Sequence, residues 1–436
     1  MRALLRRIDG FFFSPVAATG FGLMRIFWAL TALVTLLLQA PDVARYYSGN
    51  GIFTLAIDPN YQRTIYRFSV LLWITDPQAV VLVYCAMIAV FVAMLVGFWP
   101  RVSTIVSVLL LFSFHERNPY VFAGGDTVLR TAGFILMIAP VGVHALSFSR
   151  LRRQWTHWKK TRALLPPLTM PAWPMRLVLW QLLVIYLTSL WGKLLGTMWM
   201  DGTTVAIALH HEHFIRFPGP VTDALSLLSP MLGWSWMIYE ATWAAMLVPK
   251  TLFRTLRIEK KFLRRGLIVF GVVYHLFMEI LLRVGSFFGA MCTLFAGLLQ
   301  REDFECVKRW MNRRFRAPIS VLYDGHCGLC QRSMFGLSVL DWLKRLRPVN
   351  FQDAAERKKF APDIPVAKLD RAMHIRLSNR ETLQGFDAFR RLCWHLPPLW
   401  LLAPLLFIPG VPTIGRAVYA EIAERRKKCT HEGCTL

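Results

Sequence analysis

The sequence predicts an α-helical polytopic membrane bundle of about eight spans, followed by a small α/β domain. Hydrophobic residues make up 55% of the 436 residues and charged residues only 18%, a balance too apolar for an ordinary soluble protein. Apolar runs recur between residues 20 and 300 at the length that a bilayer requires. After residue 317 the composition becomes more polar and strand-like runs appear. We therefore predict a transmembrane domain at 1–317 and a second domain at 318–436.

The count of eight rests on the length of the apolar runs. A spanning helix needs about 20 mostly apolar residues, and the first run is long enough to be an uncleaved helix rather than a signal peptide. The third run is short, and a re-entrant segment there would leave seven spans. The predicted spans are 20–40, 78–99, 102–115, 127–147, 175–195, 230–249, 266–283 and 285–300.

The positive charge of the chain supports a membrane location. The chain has 51 Lys and Arg against 26 Asp and Glu, a net charge of +25. The basic residues cluster between apolar runs, which favours anionic lipid over nucleic acid as the partner. The densest clusters, 150–162, 250–265 and 301–316, fall on one side of the predicted bundle. By the positive-inside bias, that side and both termini are cytoplasmic, in a membrane of the bacterial inner-membrane type.

A cysteine pair opens the second predicted domain. The stretch YDGHCGLC holds Cys327 and Cys330 between a strand-like run, 319–323, and a helical pattern, 331–344. Thiol pKa values fall at helix N-termini, where the reactive thiolate is stabilised. In this setting Cys327 would attack a disulfide, and Cys330, one turn further on, would resolve the mixed disulfide.

Two other interpretations of the pair stay open. Cys429, His431 and Cys434 of the C-terminal tail could complete a zinc site with it, since zinc prefers four Cys or His ligands. The region would then be a zinc-stabilised binding module anchored to the membrane. Alternatively, the pair is two ordinary cytosolic thiols that the compartment keeps reduced. No metal site is predicted in the preferred interpretation.

The segment VLYDGHCGLCQRSM resembles the opening of the DCC family of predicted thiol-disulfide oxidoreductases, named for its Asp-x-x-Cys-x-x-Cys motif. Asp324, Cys327 and Cys330 match that motif. LQGFDAFRRL and the proline-rich stretch after it resemble later segments, so the resemblance covers about 319–428. It implies a small thioredoxin-like fold and a redox enzyme whose partner is a disulfide or dithiol protein, or a small thiol. Asp324 would serve proton transfer or turn geometry, and no cis-proline loop can be assigned.

Polar residues in or beside the predicted spans mark a second candidate site, because they are costly to bury in a bilayer. Lys193 lies near the outer end of the fifth predicted helix, where snorkelling to water would also account for it. Glu240 and His275 could lower their burial cost by pairing with each other or with Lys193. Asn118 and Asp126 complete this set.

Three segments of the membrane region, NPYVFAGGD, YLTSLWGKLLGTMWMDGTTVA and HLFMEILLRVGSFFGAMCTLFAGLL, resemble the HTTM family over about residues 10–300. That family is the membrane domain of vitamin K-dependent γ-carboxylases and many bacterial proteins. Lys193 matches the lysine proposed there as the base, with one residue more before Trp199.

The HTTM resemblance implies a quinone as a cofactor of the membrane domain. It also implies an alternative function, a quinone-dependent oxygenase or carboxylase-like enzyme with Lys193 as the base. Protein glutamate carboxylation is not implied, because no segment between the predicted helices is long enough to form the carboxylase's lumenal domain.

Overall fold

The computed structural model describes residues 2–52, 68–139, 141–248, 259–314 and 318–427. The chain forms two compact units, which we call the helical unit (Met1–Arg153 and Pro167–Asp303) and the C-terminal unit (Gln154–Pro166 and Phe304–Leu436). The predicted division at residue 317 stays a prediction, because compactness does not establish which segment folds independently.

The helical unit contains a helix in each of the eight predicted stretches. These helices are α2 (Thr19–Gln39), α4 (Pro77–Val96), α5 (Pro100–Arg117), α6 (Gly124–Ile138), α8 (Trp173–Leu194), α12 (Ser229–Thr242), α13 (Lys260–Leu281) and α14 (Phe287–Gly297). Shorter helices lie between them: α1 (Arg2–Phe13), α3 (Val43–Tyr47), α9 (Thr197–Met200), α10 (Thr204–His210) and α11 (Gly219–Ser226).

Three helical stretches of the described residues are long and apolar enough to cross a membrane: Thr19–Tyr47, which runs through α2 and α3, Pro77–Val96 (α4) and Trp173–Leu194 (α8). The other predicted spans fall short for physical reasons. Helix α5 carries charged residues at both ends, including Arg101 and Arg117, and α14 has only 11 residues. Length and composition therefore support three candidate spans among the described residues, and the count of eight stays a prediction.

Helix α4 shows how the local sequence sets the ends of an apolar helix. Asp76 precedes it and its carboxylate accepts a hydrogen bond from the backbone N–H of Ala79 at 2.9 Å. Pro77 occupies the first turn, where no N–H is needed. Gly97 ends the helix in the left-handed conformation, with φ of 75°, which glycine adopts without steric cost. The ends of this span are thus encoded locally.

The C-terminal unit is built around a four-stranded mixed sheet. Its strands are β3 (Ile319–Tyr323), β4 (Leu346–Asn350), β5 (His374–Arg376) and β6 (Thr382–Gln384), in the order β4-β3-β5-β6. Strands β3 and β4 are parallel, and β5 is antiparallel to both β3 and β6. In the helical unit, β1 (Pro15–Ala17) pairs antiparallel with β2 (Thr169–Pro171). The remaining helices are α7 (Phe148–Thr161), α15 (Arg301–Arg314), α16 (Gly328–Leu340), α17 (Ala354–Phe360), α18 (Val366–Leu369), α19 (Gly385–Cys393) and α20 (Val411–Lys427).

The basic stretch at 150–162, predicted to be a loop between spans, contributes to the core of the C-terminal unit. Trp158 is buried there in a cluster with Ile319 and Met334. The rings of Trp155 and Trp158 lie 5.1 and 6.1 Å from the ring of Phe335 on α16. Two tryptophans three residues apart share one helix face, which explains how a basic segment also supplies core residues.

Candidate dithiol site

The two cysteines lie where the central strand of the sheet passes into a helix. Strand β3 ends at Tyr323, and Cys327 is the N-cap residue of α16. Cys330 lies in the first turn of that helix, and each cysteine is only 9% exposed. The first N–H groups of a helix lack helical acceptors and carry partial positive charge, which stabilises an anion there. A Cys327 thiolate would receive this stabilisation.

The turn before Cys327 is tied to the end of β4. The Asp324 carboxylate accepts hydrogen bonds from the His326 backbone N–H, at 2.9 Å, and from the Gln352 side-chain amide, at 3.3 Å. The backbone N–H of Gly325 donates to the Asn350 side chain at 2.9 Å. A Cβ atom at Gly325 would lie 2.4 Å from that side chain, so a larger residue would displace Asn350 from its contact with the turn.

These contacts support turn geometry, one of the two predicted roles of Asp324, and the choice between the two roles stays a prediction. Asp324→Asn keeps an oxygen acceptor and removes the ionisable group, whereas Asp324→Ala removes the acceptor as well. If the dithiol reduces disulfides, as the sequence predicts, we expect Asn to retain that activity within about threefold, and Ala to lower it about tenfold by loosening the turn. Steady-state reduction of a disulfide dye would measure both. If Asn is as damaging as Ala, proton transfer is the required role.

The segment 154–166 reaches this turn through Arg162. The Arg162 guanidinium donates to the Gln331 side-chain oxygen at 2.8 Å, and the Gln331 amide donates to the Gly325 carbonyl at 2.6 Å. Burial raises the pKa of Tyr323, and the charge of Arg162 opposes that rise. Sequence reasoning missed both Arg162 and Gln331 because 169 positions separate the two residues.

The other cysteines have different surroundings. Cys393 is fully buried, and burial raises its thiol pKa to about 11. Cys306 is exposed on α15. The predicted zinc ligands Cys429, His431 and Cys434 lie outside the described residues. Within the described ranges, no group of three or more metal-ligating side chains is found.

The structure brings two predicted residues of the helical unit into direct contact. The Lys193 ammonium lies 2.5 Å from a Glu240 carboxylate oxygen and 3.1 Å from the Ser189 hydroxyl. Lys193 is 9% exposed and Glu240 1%. The ammonium also lies over the Trp199 ring, 4.6 Å from its centroid. Lys193 is thus held within the protein by a buried ion pair.

His275 lies near this pair and makes no hydrogen bond to it. Its Nε2 atom is 3.0 Å from the Tyr186 hydroxyl. The Trp236 ring lies 5.0 Å from the His275 ring and 5.4 Å from the Lys193 ammonium, so it contacts both residues. Sequence reasoning missed Tyr186 and Trp236, since aromatic residues are frequent in any apolar helix.

Asn118 and Asp126 stabilise local structure. The Asn118 amide donates to the Tyr46 carbonyl at 2.9 Å. The Asp126 carboxylate accepts from the Ala123 backbone N–H at 2.8 Å and from the Ser286 hydroxyl at 2.9 Å. None of these bonds involves Lys193, so the five predicted residues do not form one hydrogen-bonded cluster.

Comparison with known families bears on the C-terminal unit. Residues 321–432 match the model of the DCC1-like thiol-disulfide oxidoreductases. The match supports thiol-disulfide oxidoreductase chemistry for this DCC1-like region, and it confirms that part of the predicted resemblance. No curated protein and no solved structure matches the chain. The HTTM resemblance, with its quinone and its catalytic role for Lys193, stays a prediction.

Proposed function

We propose that the chain is a membrane-bound thiol-disulfide oxidoreductase that uses Cys327 and Cys330. The DCC1-like match supports the class of chemistry. One observation carries the assignment to these two residues: Cys327 caps the N-terminus of α16, and Cys330 lies one turn further along the same helix. This arrangement suits one thiol for attack and a second for resolution.

The sheet supports the predicted thioredoxin-like fold of this unit. A parallel β3–β4 pair is extended by antiparallel β5 and β6, and the dithiol follows the carboxyl end of β3. Ligands of sheets with parallel strands bind at that end, where loops lead into helix N-termini. Both cysteines therefore lie on the side of the sheet where a substrate would bind.

The proposed reaction is thiol–disulfide exchange. The Cys327 thiolate attacks one sulfur of a substrate disulfide, so that a mixed disulfide forms and the other substrate sulfur leaves as a thiolate that takes a proton. Cys330 then attacks the Cys327 sulfur and releases the second substrate thiol. The enzyme dithiol loses two electrons to the substrate, and the reverse sequence would oxidise a dithiol.

The membrane location is part of the proposal. Three helices long and apolar enough to cross a bilayer support it. With the predicted eight spans, the basic clusters at 150–162, 250–265 and 301–316 all fall on the side of the dithiol, and they favour the cytoplasm for it. In a reducing compartment the disulfide would be a transient catalytic species rather than a permanent one.

Trapping the intermediate tests the proposal. Cys330→Ser removes the resolving thiol, so the mixed disulfide at Cys327 should accumulate after addition of a disulfide substrate. We expect a nearly stoichiometric adduct, detected by intact-protein mass spectrometry and released by reductant. Cys306→Ser is the matched control, since this exposed cysteine has no predicted role. If Cys330→Ser forms no adduct at Cys327, the proposed order of attack is wrong.

A further inference from the structure

An apolar cavity lies beside the dithiol in the C-terminal unit. Its volume is about 800 Å³, within the range of about 300–1,000 Å³ typical of small-molecule sites. Cys330, Met334 and Leu337 of α16 line one side, and Val418 and Ile422 of α20 line another. The resolving thiol is therefore part of the cavity wall.

The cavity offers few polar groups to an occupant. Among the described lining residues none carries a charge, and apart from the Cys330 thiol the polar side chains are the hydroxyls of Tyr323, Ser333 and Tyr419. The backbone N–H of Met373, which also lines the cavity, donates to the Tyr419 hydroxyl at 2.9 Å.

This chemistry selects the class of occupant. An extended peptide would bring backbone N–H and C=O groups that need partners the cavity does not supply. A charged disulfide would lose hydration without gaining an ion pair. An uncharged, apolar molecule of small size matches both the volume and the absence of lining charge.

We propose that this cavity binds the apolar body of an uncharged small-molecule disulfide, which is the substrate of the dithiol. The inference rests on the proposed function and names its substrate class. Cys327 is the N-cap residue of α16 and Cys330, which lines the cavity, lies in the first turn of that helix. A disulfide held against Cys330 therefore lies close to the attacking thiol.

The exchange is balanced without any further reactant. Cys327 bonds to one substrate sulfur as the substrate S–S bond breaks, and the departing sulfur takes a proton. Cys330 then forms the Cys327–Cys330 disulfide as the mixed disulfide breaks, and the second sulfur leaves as a thiol. Two electrons pass from the dithiol to the substrate, giving two apolar thiols.

The edge of the cavity provides a variant that spares the core. Val418 lines the cavity and is 53% exposed, so Val418→Asp places a charge at the rim and keeps the side chain in contact with water. Leu401, at 93% exposed, is not among the lining residues, and Leu401→Asp is the matched control. Val418→Leu keeps the rim apolar.

The test uses the full-length protein in nanodiscs with two uncharged probes, dibutyl disulfide and bis(2-hydroxyethyl) disulfide. Comparing variants on one probe cancels its partition into lipid. In single-turnover reactions of pre-reduced protein, we expect Val418→Asp to lower the second-order rate constant for the dibutyl probe about tenfold and to leave that for the hydroxyethyl probe within twofold. Leu401→Asp should match the wild type on both probes, and Val418→Leu should retain more activity on the dibutyl probe than Val418→Asp.

The possible results are distinguishable. If Val418→Asp lowers the rate constants for both probes equally, or lowers neither, the cavity does not bind the substrate body and this inference is overturned. A selective loss with a disulfide-bonded peptide, but not with dibutyl disulfide, would overturn it in favour of a peptide. Wild-type protein that reduces no disulfide at all would instead refute the proposed function.

Discussion

Replacing Cys327 by serine is expected to abolish disulfide reduction, with a loss on the order of a thousandfold or more. A serine hydroxyl stays protonated at neutral pH and cannot displace a sulfur leaving group, whereas a thiolate at a helix N-terminus can. Because Cys327 is the N-cap residue and serine is a preferred N-cap residue, serine should fit without unfolding the helix. Initial rates with a disulfide dye, measured in the full-length protein, give the loss.

Two controls separate a lost nucleophile from general damage. Cys306→Ser alters an exposed thiol with no predicted role and should leave the rate unchanged. Unfolding can be followed through Cys393, whose pKa of about 11 and full burial make it unreactive toward alkylation near neutral pH in the folded unit. Cys327→Ser with wild-type activity and an unreactive Cys393 would exclude Cys327 as the nucleophile.

Replacing Lys193 by methionine is expected to destabilise the helical unit by about 3–5 kcal/mol. The substitution leaves the Glu240 carboxylate, which is 1% exposed, without the ammonium that lies 2.5 Å away. Methionine keeps most of the side-chain length, so the loss of stability reflects the removed charge rather than a cavity. Denaturant-dependent alkylation of Cys292, a buried cysteine of α14, measures the opening of this unit.

The double variant Lys193→Met, Glu240→Leu is the matched control. Replacing both members of a buried ion pair by apolar side chains is often neutral or stabilising, because neither charge is then left alone. We expect the double variant to recover most of the lost stability. If Lys193→Met is as stable as the wild type, the pair is not buried in the way the structure has it. If the double variant is less stable than Lys193→Met, the two charges do not compensate each other.

The cysteine site was largely predictable because its information is local. A strand-like run, an Asp-Gly turn and a Cys-x-x-Cys at a helix start lie within about a dozen residues, and short-range periodicity and turn chemistry describe such a stretch well. Arg162 was not predictable, because its bond to Gln331 joins two segments 169 positions apart. The local pattern around Arg162 indicated only a basic segment.

In the membrane region, too, one part of the structure was predictable from the sequence and another part was not. Apolar runs located a helix in all eight predicted stretches, since burial of apolar side chains and helix formation follow from composition. Composition did not show which of these helices can cross a bilayer, because that depends on where each helix begins and ends. Helix α5 includes the charged residues Arg101 and Arg117, and α14 has only 11 residues. Three candidate spans result among the described residues.

The sequence by itself determined the elements of this protein: the apolar helices, the strand–turn–helix that holds Cys327 and Cys330, and the resemblance of that region to the DCC family. Only the tertiary structure decided which side chains meet, Lys193 with Glu240 and Arg162 with Gln331. It also decided that Cys330 lines an apolar cavity beside α20. The physical reason is the distance along the chain over which each kind of interaction acts. Backbone preferences and hydrophobic periodicity act over a few residues, whereas ion pairs and cavities depend on helices and strands that only the folded chain brings together.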